Sequence, residues 1–153
     1  MMAQRKMEVR IIPMTAEHIE DVAEMERLVF SIPWSRKMIA DELSNMHASY
    51  YVAVTDENLI IGYIGLHSVQ DIGYITNLAV LPDYRSLGVG ASLISRVIER
   101  SRETEVESLT LEVRQSNEIA ISLYHKFGFR TVGKRINYYR NPTEDALVML
   151  KEL

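Results

Sequence analysis

Four polar residues stand where their chemistry has something to work on. In "DYRSLGVGAS" (83–92), Arg85 precedes Gly88 and Gly90, directly after an apolar strand-like run and directly before a helix-like one. Glycines permit backbone angles and close approaches that a Cβ obstructs. The first turn of a helix offers unpaired N–H groups and the positive end of its dipole. The segment is therefore either an anion cradle with Arg85 at its mouth or a plain strand–helix turn. Glu112 sits late in an apolar strand, between Leu111 and Val113. A carboxylate there must be hydrogen-bonded, exposed at a cleft, or functional, and an ion pair with Arg114 or another base is the ordinary alternative. Asn117 and Tyr124 are seven apart, about two helical turns, and share a face. Asn117 reads as a helix cap that can also reach a ligand. Tyr124 is either a core aromatic or a phenol that delivers a proton.

Other chemistries find less to use. A P-loop needs Gly-Lys-Ser/Thr, and Ala91-Ser92 follow Gly90; a dinucleotide loop needs a third glycine, and position 93 is Leu. His18, His47, His67 and His125 are scattered without metal-ligand spacing, so no metal is expected, and no G-x-S-x-G elbow occurs.

At 153 residues, with 47% hydrophobic and 25% charged residues, the chain has the size and composition of one domain, 1–153, with a core of about 8–152. The absence of cysteine removes disulfides and thiolate chemistry. A net charge of −4 argues against direct nucleic-acid binding. The longest apolar run, "LIIGYIGL" (59–66), is only strand length, so no membrane span is expected. The start "MMAQRKMEVRIIPM" has no apolar stretch of the secretory kind, and a cytoplasmic location is the expectation.

These residues need elements to carry them. "MEVRIIPM" (7–14) alternates as a first strand stopped by Pro13. A helix follows over 15–30 with Thr15 as N-cap and Ile19, Val22, Ala23 and Met25 or Glu26 on its apolar face. "SIPWS" breaks it, and Ser35 caps a second helix. Strands are predicted over 49–55, 59–69 and 72–80, the first two joined by the turn "DEN". The glycine segment opens a helix with the stripe Val89, Leu93, Ile94, Val97 and Ile98. A strand over 106–113, a helix capped at Ser116 or Asn117, and two last strands around "RNPTED" complete the chain. The strands flanking the 88–102 helix need a crossover and should be parallel; the short-linked pair over 50–69 should be antiparallel. This is an α/β domain around a mixed sheet with helices on both faces.

The block "NLAVLPDYRSLGVGASLI" resembles the acetyl-CoA signature of the GNAT N-acetyltransferases. "LTLEVRQSNEIAISLYHKFGF" resembles the same family's fifth strand and the helix after it. "GYITNLAV" and "NYYRNPTEDALVML" are similar to its RimI-like subgroup, which acts on protein N-termini. The resemblance runs from about residue 8 to 152. It implies a GNAT-like fold: a mixed, mostly antiparallel sheet of about seven strands, splayed between the fourth and fifth.

The implied reaction is acetyl transfer from acetyl-CoA to the α-amine of a protein N-terminus, ribosomal or otherwise, by direct attack in a ternary complex. The resemblance assigns the cofactor's pyrophosphate to Arg85, Ser86, Leu87, Gly88, Val89, Gly90 and Ala91. It assigns the pantetheine arm to Leu78, Ala79 and Val80, with Asn117 and Tyr124 beside it. Glu112 becomes the base for the amine and Tyr124 the acid for the departing sulfur. Phe30, Pro33 and Trp34 wall the substrate groove on one side and Tyr138 and Tyr139 on the other, with Tyr74 and Thr76 within reach. As neighbours on extended chain, Tyr138 and Tyr139 should point to opposite sides. An acetyltransferase for small amines such as polyamines, and a non-catalytic CoA-binding module, remain as alternatives.

Overall fold

The computed structural model describes residues 8–153. Met7 of the expected first strand, and the segment before it, lie outside the described residues. Seven strands form one sheet: β1 Val9–Pro13, β2 Ala48–Thr55, β3 Ile60–Val69, β4 Ile72–Val80, β5 Ser108–Arg114, β6 Arg130–Tyr139 and β7 Glu144–Glu152. Their order across it is β1-β2-β3-β4-β5-β7-β6. Every pair is antiparallel except β4 with β5, which the crossover helix forces to be parallel.

Four helices cover the sheet: α1 Ile19–Val29, α2 Arg36–Leu43, α3 Val89–Glu103 and α4 Glu118–Lys126. Thr15 begins a short 3-10 turn, Ala16–His18, which leads into α1. Ser35 caps α2 by accepting from the Met38 N–H at 3.2 Å, and Asn117 caps α4 by accepting from the Ala120 N–H at 3.2 Å. Alternation along β2 divides the core between the two faces. Tyr51 and Ala53 join the cluster under α3 and α4, whereas Tyr50, Val52 and Val54 join the cluster that contains Val22, Met25 and Ile39 of α1 and α2. The whole predicted stripe of α3 is buried. Among the described residues no helix is long and apolar enough to cross a membrane.

Two features of β4 decide the site. Its pairing with β5 ends at Tyr74 opposite Thr110, so Ile75 to Val80 run on without that neighbour. On the other side Ile64 pairs with Leu78 but Leu66 with Ile75, so Thr76 and Asn77 together oppose Gly65. This is a β-bulge. Gly65 is needed there, because a Cβ would lie 2.3 Å from both the Thr76 hydroxyl and the Tyr50 ring.

Gly65→Ala should therefore lower unfolding free energy by about 1–3 kcal/mol, the range for overpacking a filled core. Urea denaturation followed by circular dichroism measures it; a stability equal to wild type would show that Tyr50 and Thr76 can yield.

Candidate active site

The gap between β4 and β5 opens into a groove of about 1490 Å³. That exceeds the roughly 300–1,000 Å³ of an ordinary small-molecule pocket and suits two co-substrates bound together. Its floor is Thr76 to Val80 of β4 and Glu112 to Arg114 of β5. Its walls are the 85–91 segment (apart from Leu87) with α4, the α1–α2 connection, and the β6–β7 hairpin.

The two glycines of the loop have different work. Gly88 has φ +82°, with nothing within 4 Å of where its Cβ would stand, so the left-handed angle is what requires glycine. Ser86 is also left-handed, at φ 66°. Gly90 has no such angle, but its Cβ would lie 3.1 Å from Leu123 Cδ2, so it brings the first turn of α3 against α4. The N–H groups of that turn have no intrahelical partners and face an open mouth. Arg85 donates through Nε to the Val80 carbonyl at 3.1 Å, which leaves its other four N–H donors for an anion. Together these fit a pyrophosphate. The freed edge of β4 fits an arm that pairs like a strand.

Glu112 stands on the floor, on β5, and Tyr124 on the α4 wall. The Glu112 side chain is 8% exposed, and both its oxygens are engaged. Oε1 accepts from Arg135 Nε at 3.0 Å, and Oε2 accepts from the Tyr74 hydroxyl. Its basic partner is thus Arg135 of β6, not Arg114. Tyr124 is buried, with its ring edge-on to Phe129 at 5.5 Å. Burial, reinforced by nearby Tyr139, pushes its phenol well above the ordinary range, so it keeps its proton at neutral pH. Tyr74 is pushed up by burial and by Glu112 beside it. Tyr139 is raised to about 12 by burial first, then by Tyr138 and the Glu112 charge.

Tyr138 and Tyr139 do not take opposite sides. Asn137 at φ 52° and a register shift between Arg135 and Tyr139 break the alternation. The two rings meet edge-to-face with centroids 5.0 Å apart, and both line the groove. They form the end of β6. Arg114 holds this wall. Its guanidinium lies 4.5 Å over the Tyr139 ring and donates to the carbonyls of Arg140 and Pro142 and to Glu144 Oε1. Glu144 in turn accepts from the Ser116 N–H at 2.6 Å, and the bonds from Ser116 and Arg114 hold its carboxyl below the ordinary value.

The wall built by the α1–α2 connection hangs on Glu26. This carboxylate, 1% exposed, accepts from the Trp34 N–H at 2.8 Å and from the Tyr63 hydroxyl at 2.5 Å. Burial outweighs both bonds and raises its pKa. Tyr63 stacks on Tyr50, whose hydroxyl meets Glu42 at 3.0 Å and Thr76 at 3.2 Å.

Of the residues singled out by sequence, Leu87, Pro33 and Tyr74 do not line the groove. Leu87 is 60% exposed, and Tyr74 stands behind Glu112. Glu26, Asn77 and Arg114 do line it and were not assigned to it. The Glu26 signal was present as a charge on an apolar helix face. Asn77 and Arg114 carried none.

Residues 19–129 match the acetyltransferase (GNAT) family. A Bacillus subtilis protein provisionally named ribosomal protein bS18-alanine N-acetyltransferase is 38% identical over 136 residues, covering 89% of this chain and 90% of the relative. A Sulfurisphaera tokodaii N-alpha-acetyltransferase is 29% identical over 164 residues, covering 99% and 97%. The crystal structure of the Escherichia coli ribosomal-protein-S18-alanine N-acetyltransferase superposes with a TM-score of 0.87 at 28% identity, over 95% of this chain and 94% of that one.

The raised pKa of Glu26 sets a sign for pH dependence. The folded protein binds this proton more tightly than the unfolded chain, so stability through Glu26 is greatest near and below the unfolded value of about 4.5 and declines as pH rises through the folded one. Wild type should gain on Glu26→Gln in thermal unfolding as pH falls from about 8 to about 5. A difference that is flat with pH, or of opposite slope, would reject the burial account.

Proposed function

We propose, for a chain that belongs to the acetyltransferase (GNAT) family and is an acetyl-CoA-dependent N-acetyltransferase, that the acceptor is the α-amine of a protein N-terminus. The observation that supports this reading is the groove itself, lined by Glu112 and Tyr124 together with the aromatic side chains Phe30, Trp34, Tyr138 and Tyr139, a lining that suits an extended peptide end. Relatives named for the alanine terminus of a small-subunit ribosomal protein make such a terminus the first candidate. The Sulfurisphaera relative, named without a single substrate, makes a wider set the second.

Acetyl-CoA supplies an acyl group activated as a thioester. The N–H groups at the start of α3, with Arg85, hold its diphosphate, and the free edge of β4 from Leu78 to Val80 pairs with its arm. An α-ammonium has a pKa near 8, so removing its proton at pH 7 costs about 1.4 kcal/mol and asks more for a well-placed base than a strong one. Glu112 takes that proton, directly or through water, and the Tyr74 hydroxyl fixes the orientation of its carboxylate. The neutral amine forms the N–C bond as the C–S bond breaks, and the second proton that leaves the nitrogen makes good, through solvent, the one that Tyr124 gives up. Tyr124 returns a proton to the departing sulfur, and its burial keeps that proton available.

Trp34, Phe30, Tyr138 and Tyr139 flank the acceptor. A slot between such walls admits a thin chain end and excludes a lysine projecting from mid-chain.

The direct test offers acetyl-CoA with a set of N-terminal peptides, a peptide whose only amine is an internal lysine, and spermidine, read by mass spectrometry. Acetylation of α-amines is expected. Product on spermidine or the internal lysine alone would overturn the acceptor, and CoA binding without turnover on any amine would overturn catalysis. Glu112→Gln and Tyr124→Phe should each lower kcat by roughly 10–1000-fold with the fold intact. A variant with unchanged kcat at saturating substrate would lose its assigned role.

A further inference from the structure

A second hollow adjoins the groove. It has a volume of about 520 Å³ and lies between the later turns of α3 and the end of α4, with Lys151 of β7 at its side. Lys126 and Phe127 line both spaces, so the two share a border. Three cations line the hollow: Arg102, Lys126 and Lys151. Its two carboxylates are already taken, Glu99 by Arg96 at 3.5 Å and Glu103 by Arg100 at 3.9 Å. Among the described residues, no side chain pairs with any of the three cations. In a chain of net charge −4, an uncompensated positive hollow runs against the overall balance and suits an anion.

Its position says which anion. A Cβ on Gly90 would lie 3.1 Å from Leu123, so the first turn of α3 rests against the middle of α4. Leu123 and Lys126 are three apart on that helix and share a face. Lys126 therefore stands one turn beyond the diphosphate cradle. Ser95, the first residue of α3 to reach the hollow, is five past Gly90, roughly 7.5 Å along the helix. Lys151 Nζ lies 2.9 Å from where a Cβ on Gly128 would stand, which brings its ammonium against the chain two residues after Lys126.

Acetyl-CoA carries a third phosphate, on the ribose beyond its diphosphate, and the mechanism above gives that group no partner. Arg85 and the α3 N–H groups serve the diphosphate. Of the other cations lining the groove, Arg114 is committed to Glu144 and two carbonyls, and Arg140 follows Tyr139 on the acceptor side. We propose that Lys126, with Lys151 and Arg102 behind it, binds the ribose 3′-phosphate of acetyl-CoA. The proposal rests on acetyl-CoA as the donor and not on the identity of the acceptor. A phosphate there would meet the open end of an exposed lysine, and the border at Phe127 would let the adenosine end leave the groove without a break. Lys126 and Arg102 also occupy the last turns of their helices, where a cation offsets the negative end of the dipole. That role is indifferent to the ligand, so the two can be separated.

The test measures, by calorimetry, the affinities of wild type and Lys126→Gln for CoA and for 3′-dephospho-CoA, which lacks only that phosphate, with Tm in parallel. Wild type should bind CoA roughly 3–20-fold more tightly than the dephospho form, as suits a charge-assisted contact partly open to water. Lys126→Gln should lose most of that preference, with its affinity for dephospho-CoA unchanged from wild type. Equal affinity of wild type for the two forms overturns the proposal. So does a preference that survives intact in Lys126→Gln, because the phosphate is then held elsewhere. A loss shared equally by both forms, or one accompanied by a lowered Tm, also overturns it and assigns Lys126 to the helix end. Wild type that binds neither form would instead overturn the cofactor reading on which this one rests.

Discussion

The site exists because β4 and β5 stop pairing after Tyr74 and Thr110. Hydrogen-bonded strands lie about 4.8 Å apart, too close to admit a ligand, so a sheet can hold a cofactor between two strands only where the ladder has been released. Release leaves backbone donors and acceptors unsatisfied, which a protein avoids unless water or a ligand takes them. Each other feature of the groove follows from this one. The glycine loop sits where β4 ends, the helix it opens returns the chain to β5, and α4 closes the gap from one face. β5 keeps its order while losing β4 because β7 pairs with it along its whole length, from Ser108 to Arg114.

The two aromatic segments that border the groove are fixed by charge rather than by the ladder. Glu26 holds the Trp34 backbone, and Arg114 holds the turn after Tyr139 with two hydrogen bonds to its carbonyls, a third to Glu144 of β7 and a contact with the Tyr139 ring. Both are costly arrangements in a small protein, since a buried carboxylate and a guanidinium must be desolvated and then matched. They give two irregular segments fixed places, which is what binding an extended chain end asks of them. Glu112 shares the pattern: Arg135 and Tyr74 occupy both its oxygens, so its direction is set before any substrate arrives.

Much of this was legible in the residues. Period-two and period-3.6 patterns located every strand and helix within a few positions, and Ser35, Asn117 and the 83–92 segment announced their turns. The parallel relation of β4 and β5 followed from the helix between them, while the gap came only with the family resemblance. What stayed hidden depended on strand order. Nothing near Glu112 points to Arg135, 23 residues on, because their meeting requires β7 to lie between β5 and β6. Arg114 finds Glu144, 30 residues away, for the same reason. The bulges were equally silent. An extra residue at Thr76–Asn77 and a positive φ at Asn137 leave the composition of their strands unchanged but re-aim Asn77 and Tyr138.

The sheet order also bears on how the molecule is made. β1 to β4 are neighbours both in sequence and in space, so they can zip up as a meander while the chain is still emerging from the ribosome. β5 cannot do the same. Its long partner is β7, and until synthesis has passed Glu152 the strand bearing Glu112 has only three residues of parallel contact to hold it. A nascent chain therefore acquires half a scaffold early and the half that bears Glu112 last. Any premature stop before β7 leaves a sheet with an unprotected edge where the groove should be.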